Sequence, residues 1–471
     1  MNAPRLSLVD VVMGERPVRL RLPFRFGVVT LRETRQIFVK ATVRLADGRL
    51  GDGVSAELLI PKWFDKSPEL SNEDNANQLR KSLAIAVGAY GQLEGETPFG
   101  LHAAAAGAVS AGARAAALPQ LVSSYGPALL DRAILDAVLR LEGLSVFAGV
   151  KNNVMGLTAA TAPDLAQFDL SRFLETLTPA RSIAVRHTVG LADPLTEAET
   201  AAAPLNDGLP QSLEAVIAHY GITYFKLKVS GDQDADIKRL IDIAALLDRL
   251  PDYVVTLDGN EQYVDAASVV DLWRAMEREP RLARLRDAVV LIEQPIARTA
   301  AFAHSILPLA AIRPVEIDES DGDIGAFLTA KRLGYTCVSS KSCKGFYRAL
   351  LNAARCASWN AQDGSGSYFM SAEDLTTQAG IAVQQDLALA TLVGAGHVER
   401  NGHHYVRGMA GAGEQEVSQF LEHHGDLYEP FDGGAKLSIK DGRLNLTSLD
   451  TVGLASAVIP DFDLMDPSPA L

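Results

Sequence analysis

From residue 182 onward the chain repeats one pattern, a short apolar run ending in a polar or charged residue, then a longer amphipathic stretch. The clearest runs are Tyr224-Phe225-Lys226-Leu227-Lys228, Val254-Val255-Thr256-Leu257-Asp258, Val289-Val290-Leu291-Ile292-Glu293, Val315-Glu316-Ile317-Asp318 and Cys337-Val338-Ser339-Ser340-Lys341. Their β-branched content suits buried parallel strands, and a spacing of roughly 20–35 residues suits consecutive β/α units. Ile183 to Val189 predicts a first strand, Tyr368 to Ser371 a seventh, and Gly396 to Glu399 an eighth, with a helix over 377–392 between the last two. A parallel barrel gathers the C-terminal ends of its strands on one face. Lys228, Asp258, Glu293, Asp318 and Lys341 are therefore predicted to share one mouth.

The N-terminal part obeys a different grammar. Leu20 to Gly27, Gln36 to Val43 and Gly51 to Glu57 read as a meander of strands, with a turn at Ala46-Asp47-Gly48-Arg49, and 74–146 reads as helical. The tail predicts two strands, Ala435 to Ile439 and Arg443 to Leu446, joined by Lys440-Asp441-Gly442. The expected fold class is α/β: a modified TIM (β/α) barrel over 179–410, an N-terminal α+β capping domain over 1–178, and a C-terminal segment, 411–471, that returns to the cap and completes it.

A chain of 471 residues with 48% hydrophobic and 22% charged residues is ordinary for a globular protein of this plan. The net charge of −14 argues against a nucleic-acid or anionic-membrane surface. Met1 to Leu20, interrupted by Asp10 and Glu15, does not read as a signal peptide, and the alanine-rich stretch from Ala103 to Leu118 is too short to cross a bilayer. The three cysteines, Cys337, Cys343 and Cys356, have no metal-type pairing. A cytoplasmic protein is expected.

The chemistry lies in the five strand-end charges. Asp258, Glu293 and Asp318 offer hard oxygen ligands that suit Mg²⁺, with Mn²⁺ as a substitute. Each carboxylate alone could instead cap the following helix, but three in series flanked by lysines favour the metal. Asn260 and Gln294 are neighbours suited to support it. Lys226 and Lys228, two apart on a strand, face the same way, and at a barrel mouth mutual repulsion is expected to lower their pKa values and yield a neutral amine base. Lys341 would address the same carbon from across the barrel. Two bases flanking a carbon, with a divalent cation on a carboxylate, form a machine for removing an α-proton through an enediolate.

These residues resemble the enolase superfamily, in particular its muconate lactonizing enzyme-like, mandelate racemase-related branch. The likeness is carried by Lys226-Leu227-Lys228, Asp258-Gly259-Asn260, Glu293-Gln294-Pro295, Asp318-Glu319 and Ser340-Lys341-Ser342-Cys343-Lys344-Gly345. It extends to Pro23-Phe24-Arg25-Phe26-Gly27, Asp441-Gly442-Arg443-Leu444 and Val452-Gly453-Leu454 in the cap. The resemblance implies Mg²⁺ ligands at Asp258, Glu293 and Asp318, acid–base lysines at Lys228 and Lys341, and Lys226 near a substrate carboxylate. It implies further substrate contacts at Glu373, Glu399 and Asn401, the last two standing where dipeptide epimerases have an Asp-x-Asp pair. No histidine lies between His304 and His397, so a His–Asp dyad is not expected. The third cap strand, Gly51 to Glu57, departs from the family's Gly-x-Gly-Glu ending. Phe24, Phe26 and Trp63 near the cap loops point to a substrate with hydrophobic character, although Trp63 suits a lid or the cap core equally.

The expected function is α-proton abstraction from a small-molecule carboxylate, with racemisation or epimerisation first. Cycloisomerisation, or β-elimination of the acid-sugar dehydratase or o-succinylbenzoate synthase type, uses the same half-reaction. From other classes, a catalytically idle metal- and carboxylate-binding barrel and a Schiff-base aldolase are the rivals. A homo-oligomer is the expected assembly. His187 suits either the cavity or the barrel interior, and the tandem pairs His403-His404 and His423-His424 are expected on solvated loops.

Overall fold

The computed structural model describes residues 3–26, 29–375 and 377–469. Three long strands open the chain: β1 (Leu6–Phe26), β2 (Val29–Leu45) and β3 (Leu50–Leu58). Eight short ones follow: β4 (Ser182–Val189), β5 (Tyr224–Lys228), β6 (Val254–Asp258), β7 (Val289–Glu293), β8 (Val315–Ile317), β9 (Cys337–Ser340), β10 (Phe369–Ala372) and β11 (His397–Arg400). The tail contributes β12 (Tyr428–Phe431), β13 (Gly434–Leu437), β14 (Arg443–Asn445) and β15 (Asp466–Pro467).

The cap is an antiparallel sheet in the order β15-β1-β2-β3, covered by α1 (Asn72–Tyr90), α2 (Pro98–Ala115) and α3 (Gln120–Glu142). The sheet begins at Leu6, well before the first expected strand. On β2, Ile37, Val39, Ala41 and Val43 alternate onto one fully buried face. Helix α3 lies so close to β3 that a Cβ on Gly53 would stand 2.1 Å from Ala137 N, so only glycine fits that crossing. Pro127 sits inside α3, and the Ser123 carbonyl that its missing N–H would have bonded is satisfied by Ser82 Oγ at 3.1 Å.

Parallel pairs run β4 through β10, with β11 on the far side of β4. β10 and β11 share no ladder among the described residues; Asp374 N donates to Glu399 Oε2 at 3.1 Å across that seam. The expected tail turn closes with a single antiparallel bridge, Lys440 to Arg443, but the two strands do not pair beyond it: β13 pairs with β12 across the tight turn Asp432-Gly433, while β14 adds antiparallel to the distant β4. Asp466–Pro467 pairs with β1. Cap and barrel are joined by buried polar contacts: Gln385 Nε2 donates to Val54 O at 2.8 Å, and Arg132 bridges Gln385, Glu57 and Ala56 O. No helix among the described residues is long and apolar enough to cross a membrane.

Candidate active site

Register explains which side chains meet. Lys228 stands level with Asp258, Asp258 with Glu293, and Glu293 with Glu316, so Asp318 rises one layer higher, two residues beyond Glu316. The strand ends open into a cavity of about 410 Å³, its mouth included. Its polar wall carries Lys226, Lys228, Asp258, Glu293, Asp318 and Lys341, together with Asn260, Asp374, Glu399 and Asn401; Phe24, Ile60, Trp63 and Leu375 supply the apolar side. The strand bearing Lys228 and the strand before Lys341 are four apart in the order of the sheet, on opposite sides of an eight-stranded wall. Asp258, Glu293 and Asp318 cap no helix; the helix after β6 is capped by Asp265, which accepts from Ser268 N at 2.8 Å. Gly259 is dictated by crowding, since a Cβ there would lie 2.5 Å from Pro295 Cα on the neighbouring loop.

Lysines and carboxylates interlock. Lys228 Nζ lies 2.7 Å from Asp258 Oδ2, and Lys341 Nζ 2.7 Å from Asp318 Oδ2. Lys226 Nζ sits among Glu293 and Glu373 at 2.7 Å, Asp258 at 3.1 Å and Glu399 at 3.2 Å. Burial pushes the Lys226 ammonium toward losing its proton, but Asp258, Glu293, Glu373 and Glu399 outweigh it and hold the pKa well above the usual lysine value. Lys341 is likewise raised, burial being outweighed by Asp318. The expectation that repulsion depresses the Lys226 amine is thus reversed, because carboxylates outnumber lysines around it. Burial, with Asp258 and Glu373 nearby, drives Glu293 well above the usual carboxylate range.

The donor set fits a divalent cation. Three hard carboxylates line one cavity, and Glu293 Oε2 is buried without a partner. A second cluster, which shares Glu293 and adds Glu316 and Glu373, brings its oxygens within 4.8 Å of one another. In that trio Arg186 and Lys226 engage both oxygens of Glu373, and Cys337 Sγ donates to Glu316. Glu373 is 0% exposed and stands beneath the cavity rather than on its wall, where it is the counter-ion of buried Arg186.

The lid is Trp63. Its ring packs over Lys341, and its loop is held by Arg298, which donates to Trp63 O at 2.8 Å and Phe64 O at 3.1 Å while gripping both oxygens of Glu261. Asn260 and Glu261 are consecutive non-glycine residues at positive φ, 43° and 67°, a strained turn held by that grip. The Arg298 and Lys66 charges hold Glu261 down to about 2 against its burial, while burial and the Glu261 charge push Glu319 up to about 7. The side chain of Phe26 lies outside the described residues.

Other assignments move. His187 turns into the protein, its Nδ1 3.2 Å from His403 Nε2; burial holds His187 down to about 3. His403, His404 and His424 are buried, not solvated, because the tail folds over them; His423 alone of the tandem pairs is exposed. Burial pushes the Cys343 thiol up, away from reactivity. Sequence reasoning named Lys344 within the lysine motif but gave it no role; its Nζ lies 2.7 Å from Ser339 Oγ and 3.4 Å from Asp318 Oδ1. Its position three residues after Lys341 was the available signal. Asp386, which accepts from Ser342 N and Oγ beside Lys341, and the Arg298–Glu261 grip had none, since they join distant segments.

An antiparallel cap over a charged parallel barrel is the architecture of the mandelate racemase/muconate lactonizing enzyme-like proteins of the enolase superfamily. The structure is similar to the dipeptide epimerase of Enterococcus faecalis V583, complexed with Mg and the dipeptide L-Leu-L-Tyr (TM-score 0.58, 14% identity, 95% of this chain and 99% of that one). It is similar also to the L-Ala-D/L-Glu epimerase of Bacillus subtilis in a substrate-liganded complex (TM-score 0.57, 13% identity, 95% and 98%). A third is the muconate lactonizing enzyme of Pseudomonas fluorescens complexed with muconolactone (TM-score 0.58, 17% identity, 97% and 98%). At such identities the likeness establishes the fold. No family model and no curated protein sequence matches the chain.

Proposed function

We propose that this chain is an enolase-superfamily enzyme that moves the α-proton of a small-molecule carboxylate, acting as a racemase or epimerase. One observation carries the reading: Lys228 and Lys341 reach a single cavity from strands four apart, with Asp258, Glu293 and Asp318 on its wall between them. Asp258, Glu293 and Asp318 are the residues to hold Mg²⁺ or Mn²⁺, and the chemistry such a cation supplies is stabilisation of negative charge on the substrate carboxylate as the proton leaves.

The chain's own residues do the rest. Lys228, as the neutral amine, takes the α-proton from one face of the carbon, and Lys341, whose ammonium is held by Asp318, gives a proton to the opposite face; the reverse reaction starts from the amine that Lys341 has then become. The pair ends one proton transposed, and exchange with solvent resets it. Lys226, its three donors spent on Glu293, Glu373 and Glu399, supplies positive charge at the cavity floor near the substrate carboxylate, and Trp63 excludes water. Cycloisomerisation and β-elimination would begin with the same abstraction, but two opposed lysines favour 1,1-proton transfer. The test is deuterium incorporation in D₂O with Mg²⁺ across pooled carboxylates, read by mass spectrometry. Incorporation lost with EDTA, in Lys228→Ala and in Lys341→Ala is the expected result; incorporation retained in both variants overturns the roles of the lysines, and metal binding without any incorporation favours an idle barrel.

A further inference from the structure

A second cavity opens on the seam between cap and barrel, about 980 Å³ with its mouth included, and it shares no lining residue with the cavity over the strand ends. Its floor is one stripe of α3. Gln120, Ser123, Ser124, Pro127, Ala128 and Asp131 line it at the spacing of a single helix face, so the groove runs for ~16 Å. The middle of the stripe offers no free donor, because Ser123 Oγ and Ser124 Oγ turn back onto Gln120 O and Leu121 O, each at 2.8 Å. Val109 and Leu351 make the walls there apolar. An apolar middle with a few polar groups at its ends is the form of a small-molecule site.

Arg348 stands at one end. It is half-buried in the first turn of the helix Phe346–Asp363, and its one hydrogen bond runs from Nη1 to Asp321 O at 2.7 Å. No carboxylate pairs with it among the described residues. Asp321 sets it at the Gln120 end of the groove, since a Cβ on the next residue, Gly322, would stand 3.3 Å from Gln120 Cβ. The other charges at this end are engaged: Lys344 pairs with Asp318 and Asp321, and Asp323 Oδ1 accepts from Gly325 N at 2.7 Å. Helix α3 begins at Gln120 without a side-chain cap, so the positive end of its dipole adds to the arginine. With Nη1 taken, Nε and Nη2 remain, the edge that grips a carboxylate through two parallel bonds.

His102 stands at the other end. Its Nδ1 lies 2.8 Å from Asp131 Oδ2, and Tyr90 OH donates to Asp131 Oδ1 at 2.7 Å. A carboxylate only accepts, so Nδ1 carries the hydrogen and the neutral ring keeps Nε2 as an acceptor, without a partner among the described residues. We infer that this groove is a second ligand site, one for an elongated carboxylic acid. Arg348 takes the acid group, the apolar stripe of α3 takes the chain, and a hydroxyl at the far end donates to His102 Nε2. An amine meets an arginine here and is repelled, while a bare inorganic anion leaves the apolar middle of the groove unfilled.

Cys337, Cys343 and Cys356 are buried, so a Ser110→Cys variant carries an environment-sensitive fluorophore on the groove wall alone. Titration with 8-hydroxyoctanoate and octanoate is expected to give a saturable response, tighter for the hydroxy acid, and octylamine and inorganic phosphate should give none. Arg348→Met should weaken both acids roughly 10-fold or more, Arg348→Lys by less, and His102→Phe should erase the advantage of the hydroxy acid. Equilibrium dialysis of unlabelled protein counts the sites. The parent should hold one more molecule of octanoate than Ala106→Trp, in which an exposed wall residue fills the groove and leaves both ends intact. Octylamine bound as tightly as octanoate, acid binding undiminished in Arg348→Met, or equal stoichiometry in the parent and Ala106→Trp overturns the inference. A hydroxy acid bound no more tightly than octanoate overturns the His102 contact. Every readout is of binding, so none depends on the α-proton chemistry proposed above.

Discussion

The Lys341 ammonium stands 4.3 Å from the centre of the Trp63 ring, joining a cap loop to the end of a distant barrel strand. A cation over an indole face is stabilised by ~0.5–2 kcal/mol. The contact therefore orders the lid and shields the amine from water at once. Lys341→Ala should move the emission of Trp63, measured in a Trp273→Phe/Trp359→Phe background, toward that of a solvated indole. An unchanged spectrum would show that packing alone holds the ring.

Arg298 holds the same loop from below. Its guanidinium bridges Glu261 and two lid carbonyls, a geometry that a lysine cannot reproduce. Arg298→Met should cost about 3 kcal/mol in chemical denaturation, the lower end of what is expected when one partner of a buried pair is removed. Arg298→Lys should recover only part of it. Acrylamide quenching of Trp63 in the same background should rise in both variants, and equal quenching in all three proteins would separate the lid from Arg298.

A cation bound by Asp258, Glu293 and Asp318 stabilises the folded chain by mass action. At 100-fold its Kd the gain is about 2.7 kcal/mol, so Mg²⁺ should raise Tm and EDTA reverse the rise. Asp318→Asn should abolish the rise. Glu373→Gln should keep it, because Glu373 pairs with Arg186 beneath the cavity. A response lost in Glu373→Gln but kept in Asp318→Asn would move the cation to the second glutamate cluster.

Burial, reinforced by the Arg186 charge, holds His397 down to about 3. Its folded pKa is below the unfolded value near 6.5, so the unfolded chain binds the extra proton. The stability at stake is fully present above pH ~6.5 and is lost as pH falls from there toward 3, at up to ~1.4 kcal/mol per pH unit. Raised carboxylates such as Glu57, pushed up to about 7 chiefly by burial, act in the opposite sense, so the useful quantity is a difference. His397→Gln should gain on the parent protein by that slope between pH 6.5 and 5 in urea titrations. Parallel curves would refute a buried neutral histidine.

The barrel was legible from sequence because its signal is local: β-branched runs at regular spacing, each ending in the residue that faces the mouth. Strand ends came out within one residue, as at Tyr224–Lys228 and Val254–Asp258, since side-chain alternation and the final charge mark them. The tail turn at Asp441-Gly442 was legible, and Lys440 and Arg443 bridge across it, but the strands beyond it part, because β13 pairs with β12 just before it and β14 with the distant edge of β4, which no local pattern reveals.

What sequence determined by itself was the identity and order of the charges at the mouth, since one strand's pattern is enough to point its last residue there. Tertiary structure alone decided their state. Four carboxylates from four strands gather on Lys226, so its charge depends on neighbours that no local pattern can count. It alone decided, too, that Glu399 is spent on internal donors, that Asn401 keeps a free oxygen, and that Arg298 reaches a lid loop 235 residues away. Electrostatics and hydrogen-bond satisfaction are properties of a place in space, and residues distant in the chain meet there only after folding.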